Sequence, residues 1–224
     1  MNIIQEELEL KKDEKYNKFS QKIIPGKNIY VRIPEIKRVA KKYANTKIGE
    51  DFLNNLPHEN IDQNNLHGIM LGCFNFDIQK TIEYLDKFLP YIDNWATCDC
   101  TACAIKIFKK YPQIVKKQVI KWLKNDKIFI KRFAIVVLLD YFLDKNFEKE
   151  DLNLMNFLSQ DYYINMALAW YYSVALVKQY DSTISYFENK KIFNTFVHNK
   201  AIQKACESFR ISHDKKIYLK TLKV

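Results

Sequence analysis

The sequence predicts an all-α protein built from stacked helix pairs, and three observations lead there. The 224 residues include only 4 Gly and 5 Pro, with no Gly after Gly72 and no Pro after Pro112. Those two residues punctuate strands and tight turns, so the second half of the chain has little means of building either. Apolar side chains recur at helical spacing almost everywhere after residue 60, and short polar breaks separate segments of helical length. The same glycine scarcity leaves no G-x-G-x-x-G and no G-x-x-x-x-G-K-[ST], which excludes the common nucleotide cradles.

Taken from the N-terminus, the first element is a charged helix over residues 4–20. Ile23-Ile24-Pro25-Gly26-Lys27 ends it and leads to Tyr30-Val31-Arg32-Ile33-Pro34-Glu35-Ile36. Ile33 precedes a proline and is therefore extended, and Pro34 opens a new helix with Glu35 in its first turn. Ile69, Cys73 and Phe76 lead to Ile82, Leu85 and Leu89 in the next helices. Ile105 and Phe108 precede Ile114, Val115, Val119 and Trp122, and then come Phe129, Phe133, Val136, Val137 and Leu138. Breaks fall at Pro57, Asn75 to Asp77, Pro90 to Asp93, Tyr111-Pro112, Asn125-Asp126, Asp144 to Asn146, Gln160-Asp161, Asp181-Ser182 and Asn189 to Lys191. Pro112 suits a first helical turn, and Asp126 and Asp161 stand where N-caps belong.

A period runs through these helices. Trp95, Arg132 and Trp170 each fall in or near the early turns of a long helix and are 37 and 38 residues apart. Helix-pair repeats of the HEAT type run at about 40–47 residues, so this is a short, degenerate version of that pattern. The predicted architecture is an α-α superhelix, a solenoid of HEAT-like helix pairs whose concave face gathers equivalent positions of successive repeats. No linker or low-complexity stretch interrupts it, so residues 1–224 read as a single domain.

The net charge of +10 is strongly segregated. Residues 1–47 carry +6, 48–103 carry −7, 133–189 carry −5 and 190–224 carry +7. Residues 104–132 hold 10 bases and one acid, Asp126. A solvated helix face is the plain account of any one such block. Three basic blocks converging on one face of the fold would instead make an electrostatic footprint for a polyanion such as nucleic acid. Lys106, Lys109 and Lys110, and then Lys117, Lys121 and Lys124, form same-face clusters on two successive helices, suited to two rows of phosphate contacts.

The stretch Asn94-Trp95-Ala96-Thr97-Cys98-Asp99 places an indole and a carboxylate at i and i+4 on one helix face. Spacing alone also fits a core Trp with a solvated Asp, but Asp99 is the last acid before the most basic block. Cys98, Cys100 and Cys103 suggest a metal site. Helical geometry opposes it, because the first two point about 200° apart on a helix. No metal and no cofactor is therefore expected. His58, His67, His198 and His213 form no H-x-x-x-H and no evident partner set, and read as loop or structural residues. Tyr162, Tyr163, Trp170, Tyr171 and Tyr172 cluster near one helix, mostly as core, with Tyr163, Ala167 and Trp170 on one face. The longest apolar run, Phe133 to Leu139, is too short for a bilayer, and the acidic start Met1-Asn2-Ile3-Ile4-Gln5-Glu6-Glu7 is unlike a secretory signal. A cytoplasmic monomer is expected, without membrane contact.

Five stretches in order now carry a resemblance. They are Tyr30-Val31-Arg32-Ile33-Pro34-Glu35-Ile36, Asn94-Trp95-Ala96-Thr97-Cys98-Asp99, Lys131-Arg132-Phe133-Ala134-Ile135-Val136, Tyr162-Tyr163-Ile164-Asn165-Met166-Ala167-Leu168-Ala169-Trp170, and His198-Asn199-Lys200-Ala201-Ile202-Gln203-Lys204-Ala205-Cys206-Glu207-Ser208-Phe209-Arg210. Together they resemble the AlkD-like DNA alkylation repair proteins, HEAT-like-repeat DNA glycosylases. The resemblance implies a base excision repair enzyme that removes N3-alkyladenine and N7-alkylguanine from duplex DNA. It implies Asp99 as the catalytic carboxylate and Trp95, Trp170 and Arg132 as groove residues against the substrate. The DNA-backbone set expected beside them is Arg32, Lys106, Lys109, Lys110, Lys117, Lys121 and Lys131. In a bacterial cell such a protein would associate with the nucleoid when bound. Two other readings stay open: a non-catalytic DNA-structure-binding protein on the same scaffold, and a HEAT-type scaffold for protein partners.

Overall fold

The computed structural model describes residues 3–224, so the Met1-Asn2 pair of the acidic start lies outside the described residues. Every regular element among them is helical, and no helix is long and apolar enough to cross a membrane. The chain divides into two compact units, one ending at Tyr111 and the other beginning at Pro112.

The first unit contains α1 (Ile3–Glu9), α2 (Glu14–Ser20), α3 (Ile33–Tyr43), α4 (Lys47–Asn54), α5 (Ile61–Leu71), α6 (Ile78–Phe88) and α7 (Trp95–Ala104). Alternate helices pack on one another: α3 lies against α5, and α5 against α7. This is the row that stacked helix pairs make. Its core includes Ile36, Val39, Leu66, Met70, Leu85, Phe88, Cys98 and Ala102, all essentially inaccessible. Thr46, Asn60, Asp77 and Asn94 each accept a hydrogen bond from the backbone N–H three residues on, satisfying a donor the helix start would otherwise leave unpaired.

The second unit contains α8 (Pro112–Leu123), α9 (Ile128–Tyr141), α10 (Glu150–Leu154), α11 (Tyr162–Lys178), α12 (Tyr180–Glu188), α13 (Thr195–Glu207) and α14 (His213–Thr221). Here α9 packs on α11 and α11 on α13, with α8 against α9, α12 against α11 and α14 against α13. Residues Phe133 to Leu138 are buried without exception, which makes α9 the apolar centre of the unit. Asp151, 1 % exposed, is paired with Lys116 across α8 and α10.

Five expectations need correction. Ile33, read as extended before Pro34, is the first residue of α3, and the extended residue is Arg32 before it. The N-terminal helix is two helices, broken at Leu10 to Asp13, because the Asp13 carboxylate accepts from Tyr16 N (2.9 Å) while its own N–H donates to Tyr30 O (3.0 Å). Asp126 is not an N-cap: Asn125 Oδ1 accepts from Lys127 N at 2.9 Å, and Lys127 precedes the helix without a side-chain cap. The break placed at Asp181 falls at Gln179, where the Thr183 hydroxyl donates to Gln179 O (2.7 Å) at the start of α12. Lys106–Lys110 form a five-residue 3-10 helix instead of an α-helical face. The periodic landmarks do sit on alternate helices, but Trp95 opens α7, Arg132 is in the second turn of α9 and Trp170 is halfway along α11.

Candidate functional site

The first turn of α7 is locked from both sides. Asn94 Oδ1 accepts from Thr97 N at 2.9 Å, its Nδ2 donates to Thr97 Oγ1 at 3.1 Å, and Thr97 Oγ1 donates to Asn65 Oδ1 of α5 at 2.7 Å. All three residues are buried. Below this turn the helices approach closely, since a Cβ on Gly68 would stand 1.9 Å from Thr101 Oγ1 and one on Gly72 would stand 2.4 Å from Ala104 O. Glycine is what allows α5 and α7 to meet at that distance. With Thr97, Cys98, Thr101 and Ala102 facing inward, Trp95 and Asp99 are left half-exposed on the other side of α7. The turn is further tied down through Asp93, which is bonded to Asn94 (3.0 Å) and paired with Lys27. Partial burial pushes the Asp93 carboxyl up, and the hydrogen bonds from Lys27 and Asn94 outweigh it and hold the group below its usual range.

Trp95, Ala96 and Tyr16 pack together against Ile24, Ile29 and Ile61. The Arg32 guanidinium lies over the Tyr16 ring, 4.8 Å from its centroid, and Arg32 Nε donates to Asp13 Oδ2 at 2.9 Å. Asp62 accepts from Tyr30 N (3.0 Å) and Val31 N (3.1 Å), which fixes the extended segment that delivers Arg32. Tyr16 therefore belongs to this neighbourhood, and sequence reasoning missed it. It is 79 residues from Trp95, and nothing in its local pattern distinguishes it from an ordinary amphipathic-helix tyrosine.

A groove of about 540 Å³ runs between α3, α5 and α7 and is lined on α7 by Cys100, Cys103 and Ala104. Its floor includes Ile33, Ile69, Cys100 and Cys103, and its cations are Lys37, Lys41 and Lys106. Lys37 and Lys41 were also missed. Their i, i+4 spacing is visible in the sequence, but only folding sets α3 beside Cys100 and Lys106. Burial raises the Cys100 thiol to about 12, and it raises Cys73 against the pull of Lys41 and Lys37. Both are neutral thiols. Among the described residues no group of three or more His, Cys, Asp or Glu is placed to hold a metal ion.

The remaining candidates divide between the units. Lys106, Lys109 and Lys110 are exposed, but three residues per turn puts Lys106 and Lys109 on one side and rotates Lys110 by about 120°. In the second unit Lys117 and Lys121 are exposed on one face of α8, and Lys131 is half-buried on α9. Arg132 is only 6 % exposed, and its Nη1 donates to Tyr163 O at 2.7 Å, tying α9 to the first turn of α11. Trp170 is half-buried and lines a cavity of about 290 Å³ between α11 and α13. Tyr162 and Tyr163 are exposed at the start of α11, with Phe129 beside Tyr163 at 5.4 Å between ring centroids. Tyr171 and Tyr172 are core, and Tyr172 Oη donates to Leu152 O at 2.7 Å.

The histidines need one correction. His58 and His67 are partners, Nε2 to Nδ1 at 2.8 Å, stacked between Phe52 and Phe88. Burial lowers His58 to about 4 and His67 well below its usual value, so both are neutral. Nothing in their spacing announced the pair, because an intervening turn brings His58 back onto α5.

The sequence pattern of the family described as DNA alkylation repair enzyme matches residues 4–205, which takes in both units. Comparison with curated proteins and with solved structures gave no match.

Proposed function

The chain belongs to the DNA alkylation repair enzyme family, and from that premise we propose that it is a monofunctional DNA glycosylase acting on cationic alkylated purines, N3-alkyladenine and N7-alkylguanine, in duplex DNA. The observation that carries the reading is the half-exposed pair Trp95 and Asp99 on one face of α7, with its first turn locked by Asn94, Thr97 and Asn65. A carboxylate held this way offers a fixed negative charge, and little reorganisation is needed when positive charge develops nearby.

The reaction suits that arrangement. An alkylated purine already carries positive charge, so its glycosidic bond breaks with both electrons passing to the base, which leaves neutral and needs no proton donor. Charge develops on the sugar as an oxocarbenium ion. Asp99 stabilises it, orients a water molecule toward C1′ and takes the proton that water loses as the new C–O bond forms. Trp95 offers an apolar face to the deoxyribose and an electron-rich face to the cationic sugar, and Trp170 is assigned to the same strand. Arg132, whose Nη1 donates to Tyr163 O, is the arginine we assign to the strand. Arg32, Lys37, Lys41, Lys106, Lys109, Lys110, Lys117, Lys121 and Lys131 supply phosphate contacts. The family match takes in residues of both units, and duplex DNA bound by a single copy of the chain is part of this reading.

The decisive experiment is release of 7-methylguanine from methylated duplex DNA by the purified protein. Release above the spontaneous rate supports the enzyme. Tight binding of the methylated duplex with no release rejects it in favour of a DNA-binding protein.

A further inference from the structure

Four aromatic rings form a strip across the first turns of α9, α11 and α13. The Phe129 and Tyr163 ring centroids are 5.4 Å apart, those of Tyr163 and Tyr162 5.5 Å, and those of Tyr162 and Phe196 6.4 Å. Each residue is the first or second of its helix, and because α9 packs on α11 and α11 on α13, they meet along one edge of the unit. Tyr162 is 61 % exposed and Phe196 44 %, although burying such rings is what drives a chain to fold. Among the described residues of this unit the other exposed aromatic side chains are Phe193, two residues before α13, and Phe209 and Tyr218 in later segments.

Three other tyrosines of the unit are tethered. Tyr172 Oη donates to Leu152 O at 2.7 Å, Tyr186 Oη to Asn153 Oδ1 at 2.6 Å and Tyr218 Oη to Glu188 Oε1 at 2.6 Å. The Tyr162 and Tyr163 hydroxyls make no hydrogen bond among the described residues, so the fold's own polar groups do not account for them. The backbone beneath the rings is fixed. Asp161 Oδ1 accepts from Ile164 N at 3.0 Å, Asn194 Oδ1 accepts from Val197 N at 3.2 Å, and Asn194 Nδ2 donates to Asn165 Oδ1 at 3.3 Å. Exposed rings on a fixed ledge are preorganised for a flat partner.

The surroundings favour a partner that is anionic as well as flat. Residues 124–132, which lead into α9 and open it, hold four bases and one acid, Asp126. Arg132 is i+3 from Phe129 and its Nη1 donates to Tyr163 O at 2.7 Å, so the strip adjoins the arginine assigned above to the strand. Nucleobases join flat apolar faces to a charged backbone, and aromatic side chains stack on them with little regard to sequence. Bases inside a duplex have both faces covered by their neighbours, so a surface strip can engage only unpaired ones.

We propose that the strip of Phe129, Tyr163, Tyr162 and Phe196 binds unpaired bases of a single DNA strand, with Tyr162 and Phe196 as the outer stacking faces. This extends the function proposed above to duplexes with an adjoining single-stranded segment, and it rests on DNA as the partner and not on base release.

The test compares two labelled single strands of equal length and charge by fluorescence anisotropy: oligothymidylate, and an abasic strand with the same sugar-phosphate backbone and no bases. A grip on the backbone treats the two alike, whereas base stacking does not. Stacking one base on an aromatic ring corresponds to at least about five-fold in affinity, so the wild type should prefer oligothymidylate by that factor or more. Tyr162→Ala should weaken oligothymidylate binding by about five-fold and leave the abasic strand unchanged. Phe196→Ala should act in the same direction, and Tyr162→Trp should keep the preference. Both substituted side chains are exposed, and an unchanged melting temperature confirms that the variants fold. Duplex binding with no preference between the two strands, or with no single-strand binding at all, overturns the strip and leaves DNA as the partner. A preference that survives Tyr162→Ala combined with Phe196→Ala also overturns the strip. No binding to either strand or to duplex overturns both readings. A dimer in sedimentation that Tyr162→Ala dissolves assigns the strip to a second copy of the chain and overturns its assignment to DNA.

Discussion

The Thr97 hydroxyl donates to Asn65 Oδ1 at 2.7 Å, and both residues are buried between α5 and α7. This bond joins the helix that carries Trp95 and Asp99 to its neighbour, and Thr97 is also the residue that Asn94 caps. Thr97→Val keeps the shape and removes the donor. Two buried hydrogen bonds go with it, the one to Asn65 Oδ1 and the one from Asn94 Nδ2, and each group left without its partner costs about 1–3 kcal/mol in urea unfolding. Base release per bound complex should fall with it, because the Asp99 turn loosens. A variant as stable and as active as wild type would show that the turn is held by other means.

Asp99→Asn preserves size and most hydrogen bonding but removes the negative charge. Base release should drop by at least about two orders of magnitude, the scale of one preorganised electrostatic contact. Affinity for lesion-free duplex should stay within a few fold. Undiminished release by the variant takes the catalytic role away from Asp99.

Gly68→Ala drives a methyl group into Thr101, whose Oγ1 is 1.9 Å and whose Cβ is 2.8 Å from the new carbon's position. Overpacking of this kind costs about 1–3 kcal/mol. Adding Thr101→Ala removes the nearest atom and should recover part of the loss, so the two changes are non-additive in urea midpoints. Additive effects would mean that the helices separate instead of the side chain yielding.

The His58–His67 pair sets a pH dependence with a definite sign. His58 titrates near 6.5 in the unfolded chain and near 4 when folded, so the unfolded state takes up its proton first as pH falls. Stability is full above about 6.5 and declines as pH drops toward 4, by on the order of 1–3 kcal/mol from this group. His67, lowered further by burial, acts in the same direction, as does His198 to a smaller extent. Melting temperatures between pH 7 and about 5, above most carboxylate titration, isolate the effect. His58→Phe should flatten the profile, and a profile that keeps its slope would place the titration elsewhere.

Lys117 and Lys121 are exposed on one face of α8. Replacing both with Gln should weaken binding to all duplex sequences alike and lower the salt slope by about 1.8. An unchanged slope removes that face of α8 from the DNA contact.

The prolines and capping residues made much of the architecture readable in advance. Pro112 and Asp161 start helices where their chemistry predicts, because a cap or a proline acts on the three or four residues next to it. Asp126 failed for a related reason: a neighbouring amide, Asn125, supplied the bond first. The Lys106–Lys110 cluster was sound as a charge block but not as a helical face, since Ile105 and Tyr111 leave helical geometry on either side and the short turn winds three residues per revolution.

The helical class, the segregated charge and the placement of Trp95 and Asp99 on one helix face depend on residue type and on spacings of a few residues, so the chain's order of amino acids suffices for them. Packing between helices is what brings Tyr16 to Trp95, sets Lys37 and Lys41 around one groove with Lys106, joins His58 to His67, and places Lys204 and Arg210 around one cavity with Trp170. Arg132 is a further case: its spacing from Trp95 and Trp170 is visible in the chain, while its burial and the bond from Nη1 to Tyr163 O come from α9 packing on α11. Spacing along one helix is a local property set by 3.6 residues per turn. Which side chains from different helices meet depends on how closely those helices approach, and glycines such as Gly68 reveal that only when the neighbour they admit is in place.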